Sequence, residues 1–512
     1  MTQLDRLLLS PIRLIGLIAT YFIVIAVMRV WLFPGVAEDD AEQFYYAQSW
    51  ALGYKGSQPP LFTWLVKAAE SIMGVGVGAL FAVKYATLFG LYGFYYLTAH
   101  LIIKDKMLAA FAGLSPVAFY YIGWDSVVNY SNSVMLAASL AATIFMLFRL
   151  RTHSSFVHYA LLGLVITCGL LAKYNFVLSL VPLIIAGLFH SEIRRSLISL
   201  KIILTAAVVL ILVMPHGYWA ITDVEGLVTV FDVSARPWQA ADNWVFGVAS
   251  GMGKLIVGMI AFVMPAGLFM VLCFARPIIH SRKETNTTIR FFEIYFLFYA
   301  LIMVFLVLAT QATDIQNHWL MGMLPFPLYV FARLDQKAED IGLRAKRSYL
   351  ILLCVCSIAV IGVLGGRALV APETCRKCNF FLPWAGISNE ISSAGFKSGT
   401  IVTFDYPNQI SGNLRRYFPD ARVMSARFSP LKPPPPQTLD KEPGSCLIIW
   451  SPKIEPAGYE RRRAIEYANK LLNTSFTTDR SGKTVTAPIH GSDSRTISFR
   501  YILEKDGSGD CR

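Results

Sequence analysis

The sequence predicts an all-α polytopic membrane domain with about 11 transmembrane helices, followed by a small α/β or α+β soluble domain. Three observations predict it. The 512-residue chain is 55% hydrophobic and only 15% charged, where a soluble chain carries about 25% charged residues. The deficit lies before residue 367, where apolar runs of spanning length recur between short polar breaks. Those breaks alternate in character, basic ones against long, acidic or aromatic ones.

The spans are expected at 14–33, 77–102, 107–123, 131–148, 157–172, 174–190, 202–220, 250–275, 293–310, 318–333 and 348–366. They are read as helices because lipid offers the backbone no hydrogen-bond partners. The N-terminus, MTQLDRLLLSPIRL, is short and basic, as in a signal peptide. The apolar run from Ile15 to Phe33 is long, however, and no small-residue cleavage site follows it, so it reads as a retained first span with the N-terminus inside. The inside connections hold Lys104 and Lys106; Arg149 and Arg151; Arg194, Arg195 and Lys201; Arg276, Arg282, Lys283 and Arg290; and Arg333, Lys337, Arg344, Lys346 and Arg347. The outside connections are 34–76, 124–130, 221–249 and 311–317. This alternation predicts an odd number of spans, a membrane domain over 1–366 with its first outer loop at 34–76, and an outer domain over 367–512. The net charge of +13 follows from the same bias. No basic stripe interleaved with aromatics suggests base stacking, so no nucleic-acid partner is expected.

In the outer stretch, Thr400–Asp405, Ala421–Met424 and Cys446–Trp450 read as short buried strands. Ile387–Ala394 and Glu460–Leu472 read as helices. The second is amphipathic, with Ile465, Ala468 and Leu471 or Leu472 on one face and Arg461 to Arg463 opposite. Pro433 to Pro436 form a polyproline loop. Cys168, Cys273, Cys354 and Cys356 fall in spans, as small apolar residues do. Cys375, Cys378, Cys446 and Cys511 fall in the outer domain, where an oxidising compartment favours two disulfides of open pairing. A four-thiolate zinc site is the rival, for which Cys375-x-x-Cys378 supplies half the spacing.

The first outer loop carries the densest chemistry. It reads Glu38-Asp39-Asp40-Ala41-Glu42-Gln43-Phe44-Tyr45-Tyr46, then Gly53-Tyr54, then Gln58-Pro59-Pro60. Four carboxylates in five positions repel one another, which raises the proton affinity of at least one. Such groups suit general-base work, or metal binding, as readily as a merely solvated loop. Cations are expected on the same side. Lys84 lies inside the second span, and Lys173 interrupts a long apolar stretch. A lysine at membrane depth costs about 2.5–3.5 kcal/mol and is a functional candidate by default, snorkelling being the bland alternative. Arg236 sits in the 221–249 loop, and His318-Trp319 opens a span. Asp125, Asn129 and Asn132, spaced i, i+4, i+7, would share one helical face, where a polar stripe can also simply glue helices together. Carboxylates and cations on one side of a membrane suit the transfer of a sugar from a lipid phosphate. The cations would stabilise the leaving phosphate and a carboxylate would take the acceptor proton.

The first-loop pattern resembles polyprenyl-phosphate-sugar-dependent glycosyltransferases of the GT-C fold, a group with bacterial relatives of protein O-mannosyltransferases and the lipid A aminoarabinose transferase. Leu171-Ala172-Lys173-Tyr174 is similar to the Leu-x-Lys-Tyr segment of that family, and Lys84 falls where relatives usually carry Arg. Pro215-His216-Gly217-Tyr218-Trp219 and His318-Trp319 match loosely. Asp39-Asp40-Ala41-Glu42-Gln43, Gln58-Pro59-Pro60 and Gly412-Asn413-Leu414-Arg415-Arg416-Tyr417-Phe418-Pro419 resemble the lipopolysaccharide galacturonosyltransferase branch. The chain departs from the pattern at Gln58, where relatives often have Lys, and in lacking a clear second acidic position near the fourth span.

The resemblance implies a bacterial inner-membrane enzyme with a periplasmic C-terminal domain. Its partners would be a polyprenyl-phosphate-linked sugar, galacturonic acid in the closer branch, and a lipid or lipopolysaccharide acceptor. It implies Asp39 as catalytic carboxylate with Asp40 beside it, and Lys84, Lys173, Arg236 and His318 toward the donor phosphate. Glu42, Gln43, Tyr54, Gln58, Asp125, Asn132, Tyr174 and Trp319 would line the substrate pocket. No cofactor is certain, a divalent cation remaining open. A uronic acid would call for one more cation, for which Arg236 or Lys55 could serve. A protein O-mannosyltransferase-like enzyme, an O-antigen-ligase-like enzyme, a transporter or lipid flippase, and a receptor are the rivals. No repeated hydropathy of the kind transporters show is present.

Overall fold

The computed structural model describes residues 9–54, 58–223, 244–281, 285–376, 378–404, 409–426, 444–451, 459–478, 482–504 and 511. Lys55, Asp405, Arg236, Arg282, Lys283 and the polyproline stretch lie outside them. Seven described helices are long and apolar enough to cross a membrane: Pro11–Leu32, Val77–Ile102, Asn132–Arg149, Ile202–Thr222, Trp244–Val263, Thr287–Thr310 and Leu343–Thr374. A bent pair, Tyr174–Phe189 with Ser191–Leu197 at 112°, makes an eighth candidate, and Lys106–Ala118, Phe156–Ala172 and Ala266–His280 are shorter apolar helices. The chain is a multi-pass membrane protein.

Three expected spans are broken. The segment expected at 107–123 is helix Lys106–Leu114 and a 3₁₀ turn, Ser115–Ala118, after which Phe119 is extended and a π-helical turn, Tyr121–Asp125, follows. The segment expected at 250–275 is two helices, Trp244–Val263 and Ala266–His280, interrupted at Met264-Pro265. Proline supplies no N–H to the helix and pushes the residue before it out of helical geometry. The segment expected at 318–333 is a 3₁₀ turn, Asn317–Met323, followed by a short helix, Phe326–Leu334, with Pro325 at the junction.

The chain forms two compact units that interleave along the sequence. One comprises Met1–Val24, Ser57–Leu61 and Tyr85–Ile361; the other comprises Ile25–Gly56, Phe62–Lys84 and Gly362–Arg512.

In the first unit, Tyr95, Tyr295 and Tyr299 are buried, and each donates its hydroxyl to a main-chain carbonyl, of Leu324, Gly322 and Trp319 respectively. These bonds tie the broken 317–334 segment to the helices Val77–Ile102 and Thr287–Thr310.

The second unit contains a five-stranded sheet of order β2-β1-β3-β5-β4. Its strands are β1 (Gly399–Phe404), β2 (Arg422–Ser425), β3 (Ser445–Trp450), β4 (Lys483–Pro488) and β5 (Thr496–Glu504). β1, β2 and β3 are parallel and almost wholly buried, as strands covered on both faces are. β4 and β5 complete the sheet antiparallel, and β4 alternates exposed and buried residues as an edge does. Ala464, Ile465, Ala468 and Leu472 of helix Tyr459–Leu472 pack on Val402, Ile448 and Ile502 of the sheet. Disulfides join Cys375 to Cys378 and Cys446 to Cys511. The second lies within that core.

Candidate active site

The acidic run forms the helix Glu38–Tyr46. Three carboxylates in its first turn face the positive end of the helix dipole, which favours negative charge there. Its first residue, Glu38, holds a left-handed backbone with φ of 49°, a conformation that costs a non-glycine residue roughly 1–2 kcal/mol.

Helical geometry then separates the carboxylates. Asp39 and Glu42 are half-buried, whereas Asp40 is wholly buried. Lys84, also wholly buried, donates from Nζ to both Asp40 oxygens, at 3.0 and 2.8 Å. The Arg29 guanidinium lies 4.0 Å from Asp40 Oδ2. Lys84, expected toward the donor phosphate, thus forms a charge-assisted pair with Asp40. A carboxylate out of water needs such a partner. Gln43 is buried and accepts from Thr63 Oγ1 at 2.7 Å. Tyr54 is buried and donates to the Ser49 carbonyl at 2.8 Å. Burial, reinforced by the charge of Glu42, pushes the Tyr46 phenol well above its usual range.

The segment 412–416 holds this helix in place. Arg415 and Glu70, both buried, form a two-pronged ion pair at 2.8 and 2.7 Å. Arg415 also donates to the carbonyls of Phe44 and Ala47, at 2.7 and 3.2 Å. A cation at these last carbonyls complements the negative end of the helix dipole. Asn413 meets Val36 in both directions, accepting from its N–H at 3.0 Å and donating to its carbonyl at 2.9 Å. A Cβ at Gly412 would stand 2.2 Å from the Ala41 carbonyl oxygen, so only glycine allows the approach. Gln48 bonds the Val423 N–H and carbonyl with its side-chain amide, at 2.7 and 3.0 Å, and so pairs with the β2 edge. The 412–416 motif thus works as a clamp. Arg29, Glu70, Arg415 and Asn413 were absent from the expected site residues. A carboxylate and a guanidinium separated by hundreds of residues give no spacing signal.

The other unit carries a second set. Lys173 is 6% exposed and donates to Ser133 Oγ at 2.9 Å. It sits in a break between helix Phe156–Ala172 and the turn Tyr174–Phe176, with extended backbone (φ −159°, ψ 133°). Its partner Ser133 lies in the first turn of Asn132–Arg149, where unbonded N–H groups favour an anion. Tyr174 OH lies 3.1 Å from His216 Nε2, and the His216 ring stacks on Trp219. Asn175 donates to the His318 carbonyl at 2.7 Å. Trp319 is buried beside His318, which is half-buried. Gln58 and Asp125 are half-buried in this unit, and burial raises the Asp125 carboxyl.

Asp125, Asn129 and Asn132 do not share a helix as expected. Asp125 ends a π-helical turn, Asn129 closes the short helix Ser126–Val128, and Asn132 opens the next. The wide turn packs where Gly123 meets the Val117 carbonyl, which a Cβ would strike at 2.1 Å. The expected residues thus fall into two sets. Asp39, Asp40, Glu42, Gln43, Tyr54 and Lys84 share one unit; Gln58, Asp125, Asn132, Lys173, Tyr174, His318 and Trp319 share the other. Among the described residues no cluster of three His, Cys, Asp or Glu side chains could hold a metal ion.

Residues 57–219 match the family model described as dolichyl-phosphate-mannose-protein mannosyltransferase. Two curated proteins of Rhizobium johnstonii are similar along most of the chain. The lipopolysaccharide core galacturonosyltransferase RgtA is 28% identical over 444 residues, covering 85% of this chain and 86% of its own. The corresponding RgtB is 27% identical over 451 residues, covering 88% and 89%. Among solved structures, ArnT from Cupriavidus metallidurans superposes with a TM-score of 0.59 in its apo state and 0.57 bound to undecaprenyl phosphate. Both share 13% identity and cover 85% of this chain, and 92% and 93% of theirs. The fold is of the GT-C type, and the chain is an integral-membrane glycosyltransferase. Within that class, the relatives it resembles along most of its length are lipopolysaccharide core galacturonosyltransferases.

Proposed function

We propose that the enzyme moves galacturonic acid from a polyprenyl-phosphate donor to a lipopolysaccharide-type acceptor at the outer face of a bacterial inner membrane, with residues 367–512 in the periplasm. The observation that carries this reading is the acidic helix itself, which follows the first span and is held by a clamp from the 412–416 motif. That motif and the first loop are the two segments that resemble the galacturonosyltransferase branch.

Asp39 is the general base in this reading. It is half-buried beside the Asp40–Lys84 pair, so it keeps access while its neighbour is committed to a cation. Asp39 takes the proton of the acceptor hydroxyl as that oxygen attacks the anomeric carbon. The bond to the donor phosphate breaks, and the phosphate leaves with the electron pair. Lys173, at the helix N-terminus that Ser133 marks, receives the phosphate charge, with His318 on the same unit. One displacement inverts the anomeric configuration, and a trapped glycosyl-enzyme would contradict it.

The deciding experiment measures transfer of labelled sugar from synthetic polyprenyl-phosphate galacturonic acid to a lipopolysaccharide acceptor in membranes. Wild-type transfer that Asp39→Asn abolishes, at equal membrane insertion, supports the reading. Near wild-type turnover in Asp39→Asn removes that residue from the mechanism. Wild-type membranes that use only a mannosyl donor and a protein acceptor would favour the mannosyltransferase reading, which the 57–219 family match motivates.

A further inference from the structure

Arg29 lies in the last turn of Pro11–Leu32 and is wholly buried. Its guanidinium carbon is 4.7 Å from the Phe33 ring, 5.1 Å from Phe81 and 4.7 Å from Phe380. Arg29 Nε and Nη2 have no hydrogen-bond partner among the described residues. Among the described residues its ionic contact is the 4.0 Å approach to Asp40, whose two oxygens already accept from Lys84. Packing alone does not account for such a residue. A buried cation without hydrogen bonds costs several kcal/mol, and methionine or leucine would fill a three-phenyl pocket without that cost. Asp40 needs only one cation for neutrality, and Lys84 is closer.

The second cation answers a different demand. Glu38, Asp39, Asp40 and Glu42 crowd one short helix, where like charges repel one another. A carboxylate that must accept a proton has to be ionised beforehand. The charged groups facing this region are the cations Arg29 and Lys84, Arg367 on the Phe380 ring at 5.1 Å, Arg415 at the Phe44 carbonyl with its partner Glu70, Arg416 at the Pro34 carbonyl, and the four carboxylates of the helix. The aromatic faces stabilise the guanidinium where no carboxylate bonds it.

We propose that Arg29 is a positioning residue for the transfer reaction, a fixed counter-charge beside the 38–42 run that keeps its base carboxylate ionised without a hydrogen bond of its own to Asp40. The proposal rests on the reading of this run as the base-bearing segment.

The sign follows from the chemistry. A base carboxylate held ionised works at higher pH and fails as pH falls through its folded pKa. Removing the cation moves that failure upward. The measurement is the acidic limb of the pH profile of labelled-sugar transfer in membranes. In Arg29→Met the limb moves to higher pH by about one unit, at the low end of what a nearby opposite charge does to a carboxylate. In Arg29→Lys, which keeps the charge but not the planar stacking, the limb stays near the wild type. Adding Glu42→Gln to Arg29→Met moves the limb back, because the excess negative charge falls. A purely structural role predicts no such restoration.

An unmoved limb in fully inserted Arg29→Met, or an equal shift in Arg29→Lys, overturns the proposal. Should Arg29→Met fail to accumulate, Glu42→Gln alone gives the converse test. Its limb moves to lower pH if residues 38–42 repel one another as proposed, and an unmoved limb overturns the proposal. A wild type that transfers no sugar counts against the functional reading. An active wild type with an unmoved limb in Arg29→Met counts against Arg29 alone.

Discussion

The acidic helix and the Lys173 break are two charged segments of one membrane protein, held by different kinds of partner. The helix is over-determined. Arg415 bonds two of its terminal carbonyls and Glu70, Asn413 bonds the chain at Val36 in both directions, and Lys84 takes both oxygens of Asp40. Lys173 donates to a neutral hydroxyl, that of Ser133. A base must be fixed to within a fraction of an ångström of its geometry. In the proposed reading Lys173 meets a lipid phosphate, and a protein anion bonded to it would compete with that ligand. The difference teaches that the two segments should fail differently, one through stability and turnover, the other through donor affinity.

The sharpest way to break the comparison is at the clamp. Arg415→Met leaves Glu70 buried and uncompensated, which costs about 3–5 kcal/mol. The expected result is a large fall in thermal midpoint in detergent or nanodiscs, with loss of transfer. The double variant Arg415→Met/Glu70→Met should recover much of the stability, because no buried charge is left alone, but not the turnover, because the Phe44 and Ala47 carbonyls still lose their donor. Recovery of both would reduce the clamp to packing.

The Lys173 side should behave otherwise. Lys173→Ala removes a charge-assisted bond worth about 1.5–3 kcal/mol. If that energy is realised against the donor, KM for the donor rises on the order of tenfold to a hundredfold while the thermal midpoint barely moves. An unchanged donor KM would remove Lys173 from phosphate binding.

The two segments were also unequally legible in the sequence. The apolar spans were readable because their signal is local and repeats at spanning length. Where two of them broke, at Met264-Pro265 and at Pro325, proline outweighed hydropathy. β1, β2 and β3 showed as short apolar runs, whereas β4 reads Lys483-Thr-Val-Thr-Ala-Pro488 and passes for a polar loop, because an edge strand buries only alternate residues. At the site, Asp39, Asp40 and Lys173 stood out since charge is conspicuous beside apolar sequence. Arg29 did not, because an arginine at the end of a span is what an interfacial anchor looks like. The 412–416 motif was visible only by resemblance. Its work is done on carbonyls and on Glu70, and main-chain partners leave no trace in side-chain spacing.

The finest test of the contrast is Ser133→Ala. It removes the hydroxyl to which Lys173 donates and leaves the ammonium in place. A single such bond nets about 1 kcal/mol, so donor KM should move by only a few-fold, with turnover and stability unchanged. The direction is informative. If Ser133 orients Lys173 for the phosphate, KM rises. If it merely satisfies the ammonium until the donor arrives, its loss destabilises the empty enzyme more than the loaded one, and KM falls. A fall would mean that the lysine is held in reserve in the empty site, whereas the carboxylates of the acidic helix are held in place by their clamp before any substrate binds.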